Sequence, residues 1–463
     1  MTDVREPMAG VDAAWLRMER DTNLMMIGGV LVLDRPLDMA RFRQVIEERF
    51  LKFRRFRQRV VDESDKVWWE MDPAFNLDNH IHRVGLPSPA DKAELQQLVS
   101  DLISTPLDFR RPLWQMHVVD QFDGGSALIV RIHHCIADGL ALVQVLLSMT
   151  DETEEGKPAD APIARTASLT DRLLQPAQSL IREGLHLGHE LIEEAWDLVE
   201  HPTHLIDLAK QGMDAGLELA HIGLLPPDPV TVLKGGLSGR KRVAWAEALD
   251  LGRVKATAHA LSGTVNDVLM ATVAGALRQY LMEKGNQLAA DIHVAVPFNL
   301  RPRHQPIQSL GNQFGLVVVN LPVGKAAPRE RYQAVKEAME TLKASAQPKV
   351  TFGLLTALGH GPAKLERTAL DLLSKKASLI MTNVPGPSNL LYLAGAKVLQ
   401  PMVWVPQSGE IGVGLSILSY AGTVQFGVVA DQKMIEDAEK VAEYFRGHFD
   451  ELEAAASNVA GSD

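Results

Sequence analysis

Apolar residues recur along this chain with two alternating periods. Residues 27–33 (IGGVLVL) form an unbroken apolar run, which predicts a buried strand. Residues 39–52 (MARFRQVIEERFLK) place Phe42, Val45, Ile46 and Phe50 at helical spacing, so a helix with one apolar stripe is expected there. A second buried strand is expected at 127–133 (ALIVRIH), followed by a helix at 139–149 (GLALVQVLLSM) that is apolar on most of its surface and therefore buried. Beyond Thr150 the segment DETEEGKPADAPIART is acidic, proline-containing and small, as a surface linker is. Helical patterns broken at Pro202 occupy 171–221, with Leu187, Leu191, Ala195 and Leu198 on one face. Two readings stay open for it: a connecting helical hairpin packed on its neighbours, or an interfacial element touching lipid, although the lysine-rich face that anionic membranes favour is missing.

After the Pro/Gly-rich crossing LLPPDPVTVLKGGLSGRKR (224–242) the α/β pattern resumes. Helices are expected at 264–281, 329–345, 362–375 and 434–453, and strands at 292–297, 314–321, 378–383, 411–419 and 423–430. The fold class is thus α/β, with two mixed-sheet halves at 1–160 and 240–463 and a linker with helical connector at 161–239. Three charge-poor stretches, 304–323, 377–396 and 411–430, reach membrane-spanning length. Prolines, glycines and asparagines interrupt the first two, and the third alternates around Ala421-Gly422 as a strand hairpin does. No transmembrane segment is expected.

With 463 residues, 23% of them charged, the chain can bury large cores and is not globally disordered. Its net charge of −11 argues against a nucleic-acid partner, which wants a basic face. The single cysteine, Cys135, excludes an internal disulfide and a four-thiolate zinc site. The opening MTDVREPMAGVD lacks the apolar core of a secretory signal, so a cytoplasmic setting is the expectation.

The chemistry concentrates in Arg131-Ile132-His133-His134-Cys135-Ile136-Ala137-Asp138-Gly139, at the exit of a strand. A neutral imidazole there can take a proton from a hydroxyl, because its ordinary pKa lies near neutral pH. Asp138 can fix the local backbone or a ring tautomer, and Gly139 permits a tight turn into the next helix. A metal pair at His134 and Asp138, another at His80 and His82, and a nucleophilic Cys135 are the weaker readings; Cys135 reads better as a small buried hydrophobe.

HHxxxDG resembles the active-site motif of the coenzyme-A-dependent acyltransferase superfamily, which includes chloramphenicol acetyltransferase and peptide-synthetase condensation domains. Further motifs narrow this: AGVDAAWLRMER near the start, Pro112-Leu113-Trp114, Asn266-Asp267 opening TVNDVLMATVAGALR, VPFNLRP (296–302), GNQFG (311–315) and TNVPGP (382–387). In that order they resemble the bacterial wax ester synthase/diacylglycerol acyltransferase family, from about residue 8 to the end. The resemblance implies two chloramphenicol-acetyltransferase-like halves with a substrate channel between them. It implies His134 as general base, His133 in support, and Asp138 as a structural group held by an arginine, for which Arg54, Arg55, Arg57 and Arg59 are the candidates. Asn266 would polarise the thioester carbonyl or cap its helix. Pro112, Leu113 and Trp114 would stand near the acyl channel or in the core, and Asn383 on a rigid loop between the halves.

The expected reaction joins a long-chain acyl group from acyl-CoA, a co-substrate, to a fatty alcohol or diacylglycerol, with no metal and no other cofactor. The product would be a wax ester or triacylglycerol, and the surface of the inner membrane or of lipid inclusions a peripheral partner. A carrier-dependent condensation enzyme and a non-catalytic lipid-inclusion scaffold are the alternatives.

Overall fold

The computed structural model describes residues 5–63, 66–156, 225–287, 290–299, 310–343, 347, 351 and 374–460. The amphipathic stretch 171–221 and the expected helix at 362–375 fall wholly or almost wholly outside them.

The first half runs β1 (Glu6–Pro7), α1 (Gly10–Arg17), β2 (Met26–Leu33), α2 (Met39–Glu48), β3 (Gln58–Glu63), β4 (Lys66–Met71), β5 (Ile81–Val84), α3 (Lys92–Ile103), β6 (Trp114–Phe122), β7 (Gly125–His133), α4 (Gly139–Ser148) and β8 (Thr150–Asp151). The second runs β9 (Lys241–Trp245), β10 (Leu249–Asp250), α5 (Leu251–Ala260), α6 (Val265–Glu283), β11 (Ile292–Asn299), β12 (Phe314–Leu321), α7 (Pro328–Lys343), β13 (Leu379–Pro385), β14 (Tyr392–Leu393), β15 (Ala396–Trp404), β16 (Val413–Tyr420), β17 (Thr423–Asp431) and α8 (Ala438–Ala460).

Two seven-stranded mixed sheets result, as the α/β pattern predicts. One has the order β5-β6-β7-β2-β15-β14-β8; the other has β10-β17-β16-β13-β11-β12, with β9 on β17. A small β1-β4-β3 sheet stands apart. β7 is buried along its whole length beside β2, in a register that sets Met26 opposite His133. This accounts for the absence of polar residues from β2, while β7 carries three, Ser126, Arg131 and His133, all buried. β15 is the departure from the sequence expectation. It crosses from the second half to pair antiparallel with β2, and its pattern is obscured by Gln400-Pro401 and by a bulge between Val398 and Gln400.

Three hairpins turn on two left-handed residues each: Asp123-Gly124, Ala394-Gly395 and Ala421-Gly422. These primed turns match the strand twist, and the third confirms the hairpin reading of 411–430. The expected helix at 39–52 stops at Glu48. Short 3-10 turns at Phe50–Lys52 and Arg54–Arg57 follow, burying Phe50 and Phe56 against Trp114. Among the described residues no single helix is long and apolar enough to cross a membrane. α5 and α6 together pass by length and composition, but they meet at 98° and α6 is a buried core helix.

Backbone proximity makes a testable contrast at the β6–β7 turn. A Cβ on Gly125 would lie 2.0 Å from the Leu33 carbonyl oxygen, whereas one on Gly124 meets nothing within 4 Å. Gly125→Ala should therefore cost about 3 kcal/mol through overpacking and Gly124→Ala only about 1 kcal/mol for its positive φ. Urea midpoints of the two variants check the order.

Candidate active site

β7 ends at His133, and the chain leaves it through His134–Asp138 into α4. The His134 N–H donates to the Met25 carbonyl at 2.7 Å, extending the β2–β7 ladder by one bond. Consecutive strand residues face opposite ways, so the two imidazoles enter different surroundings. His133 Nδ1 accepts the Cys135 N–H at 3.1 Å, which leaves Nε2 to carry the proton and donate to Glu19 Oε2 at 2.9 Å. That carboxylate also accepts the Met25 N–H at 2.9 Å, so His133 is held from both sides. The His134 ring stacks on Trp15 with centroids 4.3 Å apart and interplanar angle 23°, and Phe314 stands 5.5 Å away.

Segment 311–314 of the second half clamps this loop. Asp138 Oδ1 caps α4 through the Ala141 N–H at 2.8 Å, and Oδ2 accepts the Gln313 N–H at 2.9 Å. The Asp138 N–H points to the Gly311 carbonyl at 3.4 Å. Asn312 Nδ2 donates both to the His134 carbonyl at 2.9 Å and to Asp12 Oδ1 at 2.8 Å, and its backbone N–H reaches the same carboxylate oxygen at 2.9 Å.

Burial dominates the electrostatics. His134 is 4% exposed, and loss of hydration pushes its pKa down to about 4, with Asp138 opposing. The ring is therefore neutral at physiological pH. Asp12 is pushed up to about 6 by burial, against the pull of Asn312 and Arg55. The Cys135 thiol is completely buried and driven well above its ordinary value, so it is no thiolate nucleophile.

The other expected residues separate into groups. Asn266 and Asn383 meet, Asn383 Nδ2 donating to Asn266 Oδ1 at 3.0 Å, while Asn266 Nδ2 has a weak sulfur acceptor, Met270 Sδ, at 3.4 Å. The cap of α6 belongs to Thr264 and Asp267, which bond each other's backbone reciprocally. Asn266 is not the cap. β11 pairs parallel with β13 and sets Asn299 opposite Phe314 of β12. The C-terminal end of β13, with Asn383, thus lies at the same end of the second sheet as Phe314 and its contact with His134.

Leu113 and Trp114 are core: the Leu113 carbonyl accepts the His133 N–H, and the fully buried Trp114 ring stacks on His80 and donates to the Phe56 carbonyl. Pro112 leads directly into β6. His80 Nδ1 faces the Trp114 carbonyl at 2.8 Å, and the His82 ring lies beside His117. Among the described residues no cluster of three His, Cys, Asp or Glu could hold a metal ion. Gly139 begins α4 without a positive φ, so no tight turn demands glycine there, contrary to the sequence expectation. The arginine candidates pair elsewhere: Arg54 and Arg55 with Glu6, and Arg59 with Glu70. Arg55 also lies over the Trp69 ring, and Arg57 is in the 3-10 turn beside it.

Asp12, Trp15, Glu19, Asn312 and Phe314 were not singled out by sequence reasoning, although AGVDAAWLRMER and GNQFG contain them all. The available signal was a lone carboxylate within the otherwise apolar start of a helix.

Two outcomes follow from this geometry. Asp138→Ala removes a helix cap and the acceptor of the Gln313 N–H, so it should destabilise the protein by about 2 kcal/mol, read as a shift in chemical denaturation. Cys135 should resist iodoacetamide in the native protein and react only on unfolding; stoichiometric native labelling by mass spectrometry contradicts its placement.

Comparison with known proteins identifies the family. Residues 8–269 match the wax ester synthase/diacylglycerol acyltransferase catalytic domain, and residues 310–453 the C-terminal domain of the same family. Two Mycobacterium tuberculosis proteins named as probable diacylglycerol O-acyltransferases are each 27% identical to this chain. The first, tgs1, aligns over 93% of this chain and 92% of its own length; the second, tgs2, over 96% and 98%. Among solved structures, a wax ester synthase/diacylglycerol acyltransferase from Marinobacter aquaeolei superposes with a TM-score of 0.70 at 22% identity, covering 98% of this chain and 100% of that one. The first condensation domain of the calcium-dependent antibiotic synthetase superposes with a TM-score of 0.60 at 15% identity, covering 98% and 97%, and shares the fold. The chain belongs to the wax ester synthase/diacylglycerol acyltransferase family, a family of O-acyltransferases.

Proposed function

We propose that the chain transfers a long-chain acyl group from coenzyme A to the hydroxyl of a fatty alcohol or of diacylglycerol, with His134 as general base. The observation that carries this reading is the imidazole of His134, buried at the exit of β7, stacked on Trp15 and kept uncharged by loss of hydration. A neutral nitrogen in such surroundings has no water to compete for the incoming hydroxyl proton. As the ring takes that proton, the oxygen attacks the thioester carbon. The negative charge gathers on the former carbonyl oxygen, the carbon–sulfur bond breaks, and the departing thiolate recovers the proton from the ring.

The oxyanion wants a donor, and Asn266 suits the task because its Oδ1 is occupied by Asn383 while its Nδ2 has only a sulfur partner. His133, bonded to Glu19, and Asp138, bonded to Gln313, hold the loop that aims His134. Acyl-CoA is a co-substrate in this scheme, and no metal or prosthetic group takes part. Peripheral contact with a membrane or lipid inclusion fits the apolar substrates.

His134→Ala should abolish thiol release from palmitoyl-CoA in the presence of hexadecanol or diacylglycerol while the far-ultraviolet circular dichroism spectrum stays native. Near-normal turnover in a folded variant removes the base from His134, and release from a carrier-bound thioester alone favours the condensation-type chemistry. An alcohol-length series run beside diacylglycerol with one labelled acyl-CoA ranks the acceptors.

The pH dependence has a defined sign. Burial lowers the His134 pKa to about 4, so the neutral, active form persists above that value. Hence kcat should change by less than about a tenth between pH 8 and 6.5, where a histidine of ordinary pKa would already be half protonated and kcat would have halved. A half-loss centred near 6.5 counts against a buried base.

A further inference from the structure

Among the described residues, two of the buried side-chain polar atoms that lack any hydrogen-bond partner belong to adjacent groups: Nδ1 of His134 and Oδ1 of Asn312. The two side chains are brought together by the bond from Asn312 Nδ2 to the His134 carbonyl at 2.9 Å. The amide cannot turn freely. Asp12 Oδ1 accepts from both the backbone N–H and Nδ2 of Asn312, and a buried carboxylate tolerates only a donor there, so Nδ2 is fixed toward Asp12 and Oδ1 toward the opposite side. The residue that already bonds the His134 backbone carbonyl thus carries a buried acceptor without a donor, and Nδ1 of the His134 ring is a buried nitrogen without a partner. If that nitrogen is bare, two lone pairs remain unpaired in a dry site; if it bears hydrogen, each group answers the other. Burial lowers the His134 pKa, and Asp138, the residue's own carbonyl and the Asn312 amide act in the opposite direction.

We propose that Asn312 is a positioning residue for acyl transfer: oriented by Asp12, its amide fixes the His134 ring as the Nδ1–H tautomer and leaves Nε2 as the bare nitrogen that receives the hydroxyl proton. This deepens, and rests on, the reading of His134 as the base. The relay Asp12–Asn312–His134 does for an imidazole on this loop what the carboxylate of a serine-hydrolase triad does for its histidine, selecting the tautomer without itself moving a proton. It also explains why a segment from the second half, rather than from the loop itself, supplies the amide: the reactive tautomer is selected only when the halves are joined.

The test begins with the wild-type protein. Long-range 1H–15N correlation on histidine-labelled enzyme at pH 7.5, with the His134 signals assigned by their loss in His134→Gln, should show Nδ1 protonated and Nε2 unprotonated. An Nε2–H ring overturns the proposal. Asn312→Leu, similar in shape but without polar atoms, should lower kcat roughly 10–100-fold, keep KM within about twofold, and convert the ring signal to a mixture of tautomers. Unchanged kcat with an unchanged tautomer refutes the role. If that variant does not fold, Asn312→Ser is read for tautomer and kcat in the same way, and an unchanged tautomer with unchanged kcat refutes the role. Activity in His134→Ala would sink the base itself, whereas an inactive His134→Ala beside a fully active Asn312→Leu sinks only Asn312.

Discussion

The arrangement turns on excluding water from one imidazole. A histidine in contact with solvent shares its lone pair with water and charges near neutrality; His134 does neither because Trp15, Phe314 and the 311–314 segment close around it. The rest of the site follows from that constraint. Backbone groups displaced from water must find partners in protein, and Asp138 supplies them, one oxygen for the start of α4 and one for Gln313. Both of its carboxylate oxygens accept backbone N–H groups. Glu19 does the same for His133 and Met25.

Burial also sets an opposing pair of proton equilibria. His134, depressed to about 4, binds fewer protons when folded than when unfolded, so its contribution to stability is full above its ordinary pKa of about 6.5 and is lost as pH falls toward 4. Asp12, raised to about 6, works in the other direction: its buried charge costs stability above 6, and that cost is relieved as the pH falls and the carboxyl protonates. The two shifts are each worth on the order of 3 kcal/mol and overlap in range. The site as a whole is therefore less sensitive to mild acid than either group alone.

Much of this was legible in the chain. The unbroken apolar runs at 27–33 and 127–133 marked the two central strands, and Ala421-Gly422 marked its hairpin, because buried strands and primed turns impose local patterns. HHCIADG stood out because two histidines and an aspartate have no reason to sit in a core. What stayed hidden depends on distant pairings. Nothing local tells that Asn312 meets Asp12 across 300 positions of sequence, that Glu19 holds the first histidine, or that Asn266 faces Asn383. The turn at Gly139 was expected from residue type alone, and the backbone there is ordinary. β15 was missed because a proline and a bulge break its alternation, although the strand is pinned on β2 over six residue pairs.

That late strand has a consequence for synthesis. β2 and β7 leave the ribosome early, but the neighbour that covers the outer edge of β2 is not made until residue 404. At ordinary elongation rates the edge stays open for roughly 15–50 s, a row of unpaired backbone groups able to join another chain. A polypeptide released before that point would expose this edge permanently, so truncated products of this gene are expected to aggregate, and successful production of the enzyme depends on shielding one strand until the last quarter of the chain arrives.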